Sequence, residues 1–382
     1  MLAVYLAVFV AVLGFSLIAP IFPLYVRGLG ASYTLLGVVI STYGAVQLVT
    51  QIPSGRLSDS FGRRRLILAG IVIFGLMPPL YLYAKDATFL ILVRAIGGIG
   101  ASLVWPSAMA LAIDHADRGT RGKAMGWYNA AFYSALAVGP VMGGALYDRL
   151  GLAAPFYFWT LLSALSFVLV LVLVKDPPKI QTPSVDRSRS PSGRLIQDGF
   201  KPTFLACCGV VVWTGVVGGF NVTLLPEFAL RLGFSTIEIG LLYMAFAGSN
   251  AISAIYFGGR ADQGSRKILI IAGSVTGVVS FLFLRFVEGT VPVMLLLACL
   301  GLGSGMSNPA AAAVIADVTT PTRRGEIFGI FNTARMVGVV VGPMVAGLTA
   351  DAYGINGSLA AFLAIGLVIA AGTLALREPP PP

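Results

Sequence analysis

Charge is scarce in this chain. Only 11% of its 382 residues are Asp, Glu, Lys or Arg, whereas 57% are hydrophobic. A water-soluble domain carries roughly 25% charged residues. A soluble fold would leave too much apolar surface in water, so the composition points to lipid as the solvent. Histidine is almost missing: the one residue, His115, lies in a charged loop, which excludes imidazole chemistry inside the apolar segments. The three cysteines, Cys207, Cys208 and Cys299, all fall in apolar runs and suggest neither a disulfide framework nor a metal site. There is no phosphate-binding P-loop, no metal-ligand cluster and no nucleophile–base pair, so neither an enzyme, a cofactor, a metal nor ATP drive within the chain is expected.

What the sequence has is hydrophobic length. A membrane helix needs about 20 apolar residues. Such runs lie near 2–26, 33–54, 66–84, 87–112, 123–147 and 152–174, then near 203–229, 236–257, 268–286, 290–316, 326–350 and 357–376. The first is too long for a signal-peptide core and lacks a basic n-region, so it reads as a retained span. Between the two sets lies KDPPKIQTPSVDRSRSPSGR, rich in Pro, Ser and charge. It reads as a flexible linker or as a basic segment attracted to anionic lipid. The expected fold is all-α: twelve transmembrane helices in two six-helix bundles, 1–174 and 203–382, joined by 175–202.

Most of the 26 basic residues fall on one side of this topology, including Arg56, Arg63, Arg64, Arg65, Lys123, Arg260, Arg266, Arg323 and the linker cluster. The positive-inside rule then puts both termini and the linker in the cytoplasm, with the chain in the plasma or inner membrane. The same bias explains the net charge of +10 without a nucleic-acid partner.

The halves repeat. Shifting the chain by 203 positions lays Pro23 on Pro226, Gly30 on Gly233, Gly37 on Gly240, Asp59 on Asp262, Arg63 on Arg266 and Gly98 on Gly301. Further along, Pro106 meets Pro309, Asp114 meets Asp317, Arg121 meets Arg324, Gly139-Pro140 meets Gly342-Pro343, and Asp148 meets Asp351. Six spans is an even number, so the copies insert in the same orientation. Parallel repeats of this kind place a binding site at their interface near the midplane. Two such bundles can rock about that site and open it to alternate sides.

Four motifs stand out. After the second run comes Gly55-Arg-Leu-Ser-Asp59-Ser-Phe-Gly62-Arg63-Arg64-Arg65, with a degraded copy spanning Gly258, Asp262, Arg266 and Lys267. Gly55 and Gly62 suit a tight turn. Asp59 can accept hydrogen bonds from the basic cluster or sit at a neighbouring helix N-terminus. Positive-inside topology explains the arginines but not this spacing of Gly and Asp. The fourth run holds Arg94-Ala-Ile-Gly-Gly98-Ile-Gly100, and Arg94 aligns with Leu297. A charge inside a span is by default functional; the alternative is a snorkelling or packing arginine. The fifth run holds Ala135-Leu-Ala-Val-Gly139-Pro140-Val-Met-Gly143-Gly144, whose small residues allow close helix approach and whose proline kinks the helix. The copy Gly342-Pro343 with Gly347 leaves open a plain packing role. The first run contains Leu13-Gly14 followed by Pro20 and Pro23.

Together these motifs resemble the major facilitator superfamily over essentially the whole chain, and within it the twelve-span drug:proton antiporter branch. The resemblance implies a cytoplasmic gate of Gly55, Asp59, Gly62, Arg63 and Arg64, with Asp114, Arg121, Asp262 and Arg266 in the same network. It implies that Asp59 and Arg63 stabilise the outward-facing state against the eleventh helix. It links Arg94 to proton transfer. It marks Gly139, Pro140, Gly143 and Gly144 as an exporter motif, although the family pattern begins with Gly where this chain has Ala135.

Several polar side chains are candidates for meeting substrate. Tyr43, Gln47 and Gln51 share one helix face, and Gln47 aligns with Asn250, which shares a face with Tyr243. Asn221 and Asn308 are further amides in apolar runs, and Trp213 can stack on a flat or cationic compound. Interhelical hydrogen bonding is the competing role for each polar group. Glu227, just after Pro226, is the best carboxylate for proton coupling; Glu238, three residues after Ser235, reads as part of a capping box.

The expectation is a monomeric secondary transporter exporting small lipophilic or cationic compounds, of multidrug-efflux type, by proton antiport. Its partners are a small molecule, protons and the bilayer. The first half holds no acid deep within a span, which keeps open a proton-coupled or facilitative carrier of a metabolite such as a sugar or organic ion.

Overall fold

The computed structural model describes residues 2–116, 120–174, 196, 199–261, 266–319 and 323–377, with residues 59, 121, 122, 324 and 325 described by backbone alone. Asp262, the Asp59 and Arg121 side chains and most of the linker 175–202 thus lie outside the described residues.

The first half contains α1 (Leu2–Leu17), α2 (Phe22–Gly28), α3 (Tyr33–Phe61), α4 (Arg63–Leu82), α5 (Ala87–Asp114), α6 (Arg121–Leu150) and α7 (Ala153–Leu173). The second contains α8 (Lys201–Thr223), α9 (Leu225–Arg231), α10 (Thr236–Ala261), α11 (Arg266–Leu284), α12 (Thr290–Val318) and α13 (Arg324–Thr373). Among the described residues, eleven segments are long and apolar enough to cross a membrane, and the last, Glu326–Thr373, is long enough to do so twice. The fold is therefore the expected all-α arrangement of twelve spans in two bundles.

The boundaries differ from expectation where proline and glycine intervene. The first span is broken between α1 and α2, and the seventh between α8 and α9. Pro23 and Pro226 sit in the first turns of the short second pieces, where a missing N–H costs little. The eleventh and twelfth spans are two helices that follow one another without a loop, the chain turning at Gly354. Its φ of 71° lies in the left-handed region that glycine tolerates. The expected tight turn after the second span narrows to Gly62, at φ 96°; Gly55 lies inside α3, which runs on to Phe61. The capping box is present: the Ser235 amide donates to Glu238 (2.8 Å) and the Glu238 amide donates to the Ser235 hydroxyl (3.4 Å). Thr290 also donates to Glu238, tying α10 to α12.

Lipid is as apolar as leucine, so helices in a bilayer associate through close packing and hydrogen bonds rather than by escaping solvent. Glycine makes that packing possible here. A Cβ on Gly98 would collide with the Tyr43 carbonyl, and one on the equivalent Gly301 with the Phe246 carbonyl. Gly139 and Gly143 seat α6 on Ser16 and Leu17 of α1. Each bundle then buries its own aromatic core: Phe74, Tyr81, Phe156 and Trp159 in the first, Trp213, Phe220, Phe281 and Phe362 in the second.

Candidate functional site

The halves meet along two seams, α3 against α13 and α6 against α10. At the end away from the termini both seams are tight, and both are built from repeat-related residues. Gly37 lies against the Pro343 carbonyl, and its counterpart Gly240 against the Pro140 carbonyl. Gly144 lies against the Thr236 carbonyl, and its counterpart Gly347 against the Tyr33 carbonyl. Asp351 accepts from the Tyr33 and Thr34 amides (2.9 and 2.7 Å), while Asp148 accepts from the Ile237 amide (3.0 Å). Each carboxylate thus caps a helix N-terminus of the opposite half, where amides are free and the dipole favours an anion. Ser41 adds a hydrogen bond to the Val340 carbonyl (2.6 Å).

Like the Ser41 bond, whose counterpart position is Met244, a further reinforcement has no repeat counterpart. The Tyr33 hydroxyl donates to Glu227 (3.1 Å) and accepts from Arg231 (2.7 Å), and Arg27 lies over the Tyr33 ring (4.0 Å). The positions equivalent to Glu227 and Arg231 are Leu24 and Gly28. Glu227 is therefore a strap across the tight end rather than a free acid in the interior.

Toward the termini the seams part. Eighteen residues are five helical turns, so residues 18 apart share a face. Gly55 lies on the face of Gly37, Gly126 on that of Gly144, Gly258 on that of Gly240 and Gly329 on that of Gly347. A Cβ at Gly55, Gly126 or Gly329 meets nothing within 4 Å, and one at Gly258 meets only Pro309 of its own half, at 3.9 Å. Four helices therefore carry one close-approach glycine engaged across a seam and a second one idle. The ion pairs described at this end each stay within one half: Arg63–Asp114 and Arg266–Asp317, which are repeat-related, and Arg323–Glu326 at the start of α13. Arg64 donates to the Leu171 carbonyl, also within its own half.

Between the seams lies a cavity of about 220 Å³ that reaches the tight end at Pro140. Phe15 and Phe22 line it from the first half, Tyr243 and Phe246 from the second. Its polar wall comprises Arg94, Asn221, the Tyr243 hydroxyl and Ser16, whose hydroxyl is taken up by the Leu13 and Ala135 carbonyls. Arg94 is 7% exposed, with its guanidinium over the rings of Phe22 (4.6 Å) and Tyr43 (5.2 Å). Asn221 is 3% exposed; its backbone carbonyl accepts from the Tyr243 hydroxyl (2.6 Å), but its side-chain amide is unpartnered.

Of the residues expected to meet substrate, Asn221 and Tyr243 stand on this wall, and Tyr43 stands behind it, stacked on Phe15 (5.3 Å). Gln47, Gln51 and Asn250 are half-buried further along and make no hydrogen bond among the described residues. Asn308 accepts from Thr214 (3.1 Å) and so ties α12 to α8. Trp213 does not line this cavity: it packs inside the second bundle against Phe281, beside Gly277 and Gly366. Two adjacent small residues, rather than a pocket, surround its ring. Sequence reasoning missed Phe15, Phe22 and Phe246, which look like any span residue. It also missed the role of Asp148 and Asp351, although their alignment in the repeat was a usable signal.

The Major Facilitator Superfamily model matches residues 4–259 and 205–382. The chain is 25% identical over 375 residues to the quinolone resistance protein NorA of Staphylococcus aureus, covering 98% of this chain and 95% of that one. Among solved structures it is similar to a bacterial homologue of the human lysosomal transporter Spinster in an inward-facing, occupied conformation, with a TM-score of 0.82, 16% identity and coverage of 98% and 95%. It is also similar to the nucleoside transporter NupG, with a TM-score of 0.75, 16% identity and 98% of both chains covered. With the repeat, the twelve spans and the family match along its whole length, the chain belongs to the major facilitator superfamily.

Proposed function

We propose that the protein is a secondary exporter of small lipophilic compounds that works by alternating access with proton antiport. The observation that carries this reading is the apolar cavity between two repeat-related halves, sealed at one end and splayed at the other. The positive-inside bias assigns the splayed end to the cytoplasm, so the state described is inward-open. Rocking the halves about the cavity would part the engaged glycines and bring Gly55, Gly126, Gly258 and Gly329 into use. Asp59 and Arg63 would then hold the cytoplasmic end shut against α13. The likeness to NorA supports drug efflux as the class of transport.

Proton coupling is assigned to Glu227 and Arg94. Protonating Glu227 removes the charge that Tyr33 and Arg231 hold across the outer seam, which favours opening there. Since the two halves supply the cavity between them, a monomer suffices. The cationic part of the sequence expectation finds no support on the cavity wall, where no carboxylate lies among the described residues. That wall favours a second reading, a carrier for an organic anion or other metabolite.

The test is purified protein in liposomes with a pH-sensitive dye inside. A proton gradient is imposed and lipophilic compounds are added. Compound-dependent proton flux that is lost in Glu227→Gln is expected; transport of a compound with no accompanying proton movement would replace antiport with facilitated transport.

A further inference from the structure

We infer that the cavity selects compounds carrying a carboxylate, or a like planar anion, on an apolar body, with Arg94 and Asn221 as the specificity-determining residues. The inference rests on the reading of this cavity as the transport site and narrows its substrate class.

Three observations carry it. Arg94 is a buried cation in the cavity wall without a carboxylate partner among the described residues. Its Nε–H has no hydrogen-bond partner either. The guanidinium lies over the Phe22 and Tyr43 rings with the Tyr81 hydroxyl alongside; these neutral neighbours offset part of the cost of burial but leave the positive charge unpaired among the described residues. A buried charge left this way is a cost that a bound counter-ion would relieve.

Asn221 is the second. Both polar atoms of its side chain are orphaned although it is nine-tenths buried, and it lines the same cavity. Tyr243 anchors the backbone at that residue, so the amide is presented by a fixed frame.

The third is the repeat, which shows that neither group is needed to fill its place in the fold. The counterpart of Arg94 is Leu297, fully buried in the second core. The counterpart of Asn221 is Ile18, which lines the same cavity with hydrocarbon. Polar groups stand at these two places only where they face the cavity. Apart from the Ser16 hydroxyl, which the Leu13 and Ala135 carbonyls take up, and the Tyr243 hydroxyl, which the Asn221 carbonyl takes up, the rest of the wall is aromatic and aliphatic, with room for a fused two-ring compound rather than a lone inorganic ion. A lipophilic cation meets the Arg94 charge as repulsion. A neutral compound gains apolar contact alone. An aromatic carboxylate gains that contact and a planar fork of N–H donors.

The experiment is equilibrium binding of 2-naphthoate, 2-naphthamide and 2-naphthylmethylammonium to the purified full-length protein in detergent. These share one apolar body and differ in charge. The expected order is carboxylate, then amide, then ammonium, with about tenfold or more between the first two, as for a charge-assisted hydrogen bond. Arg94→Gln should bring naphthoate to the level of the amide, and Arg94→Lys should restore part of the preference. Asn221→Leu gives an independent variant should Arg94→Gln fail to fold; it should weaken naphthoate more than the ammonium compound. Equal binding of carboxylate and amide, a preference that survives Arg94→Gln, or no binding by any of the three overturns the inference. Uptake of a neutral lipophilic dye by the same preparation in liposomes reads the export proposal separately. Dye transport without carboxylate preference removes this inference alone; carboxylate preference with no transport of any compound removes the export reading and leaves the site.

Discussion

Leucine at Gly126 and Gly329 together should stop transport without harming the folded protein. Both glycines are exposed, and a Cβ at either meets nothing within 4 Å. In the state described, the new side chains enter open space, and replacing a helical glycine adds about 0.5–1 kcal/mol of helix stability per site. In the opposite state the same faces must approach as closely as Gly144 and Gly347 do now, backbone against backbone. Overpacking of that kind costs about 1–3 kcal/mol per site. Two sites then bias the equilibrium by roughly 2–6 kcal/mol, or about 30-fold at the least, toward the state described. The assay pairs dye transport in liposomes with thermal unfolding of the purified protein. Transport should fall at least tenfold while the unfolding temperature holds or rises. Wild-type transport in the double variant would refute the idea that these glycines engage in the other half of the cycle.

Other perturbations act on the opposite end. Asp148→Ala with Asp351→Ala removes both cross-half helix caps, each worth about 0.5–2 kcal/mol, and should raise labelling of cysteines placed near the sealed end. Unchanged labelling would mean that the glycine packing alone seals that end. Tyr33→Phe removes the hydroxyl shared by Glu227 and Arg231 and should increase the same labelling; because the strap has no counterpart, Thr236→Ala at the equivalent place should have a smaller effect. Trp213→Ala should lower stability by about 3–5 kcal/mol, as truncation of a buried tryptophan does, while leaving the rank order of compounds intact. A changed rank order would return Trp213 to the cavity.

The fold was readable because its signals are periodic and long. Twelve apolar runs and a gap-free register of glycine, proline and aspartate define both halves before any contact is known. Span ends were less readable: Gly55 continues a helix where a turn was expected, and the chain turns at Gly62 instead. Both depend on how neighbours pack rather than on local preference. The site was only partly legible. Arg94 announces itself because a charge in lipid is costly, and Asn221 and Tyr243 because polar groups in a span are rare. Trp213 and Asn308 carry the same signal but spend it inside one bundle, on ring packing and on Thr214. Which face of a helix meets the other half is not written in a single span. It emerges from the repeat, where Gly144 and Gly347 or Asp148 and Asp351 keep their register because each must contact the opposite copy.

The central claim is that one end opens as the other closes. Two spin-label distances test it in the protein reconstituted in lipid, with Cys207, Cys208 and Cys299 replaced by alanine. One pair, Leu29 with Leu232, spans the sealed end; the other, Ile52 with Ile330, spans the splayed end. Across changes of pH and added compound, the account predicts that the first distance lengthens whenever the second shortens, with two populations shared between the pairs. If both ends widen together, or only one ever moves, the rocking of two repeat-related halves about this cavity is wrong.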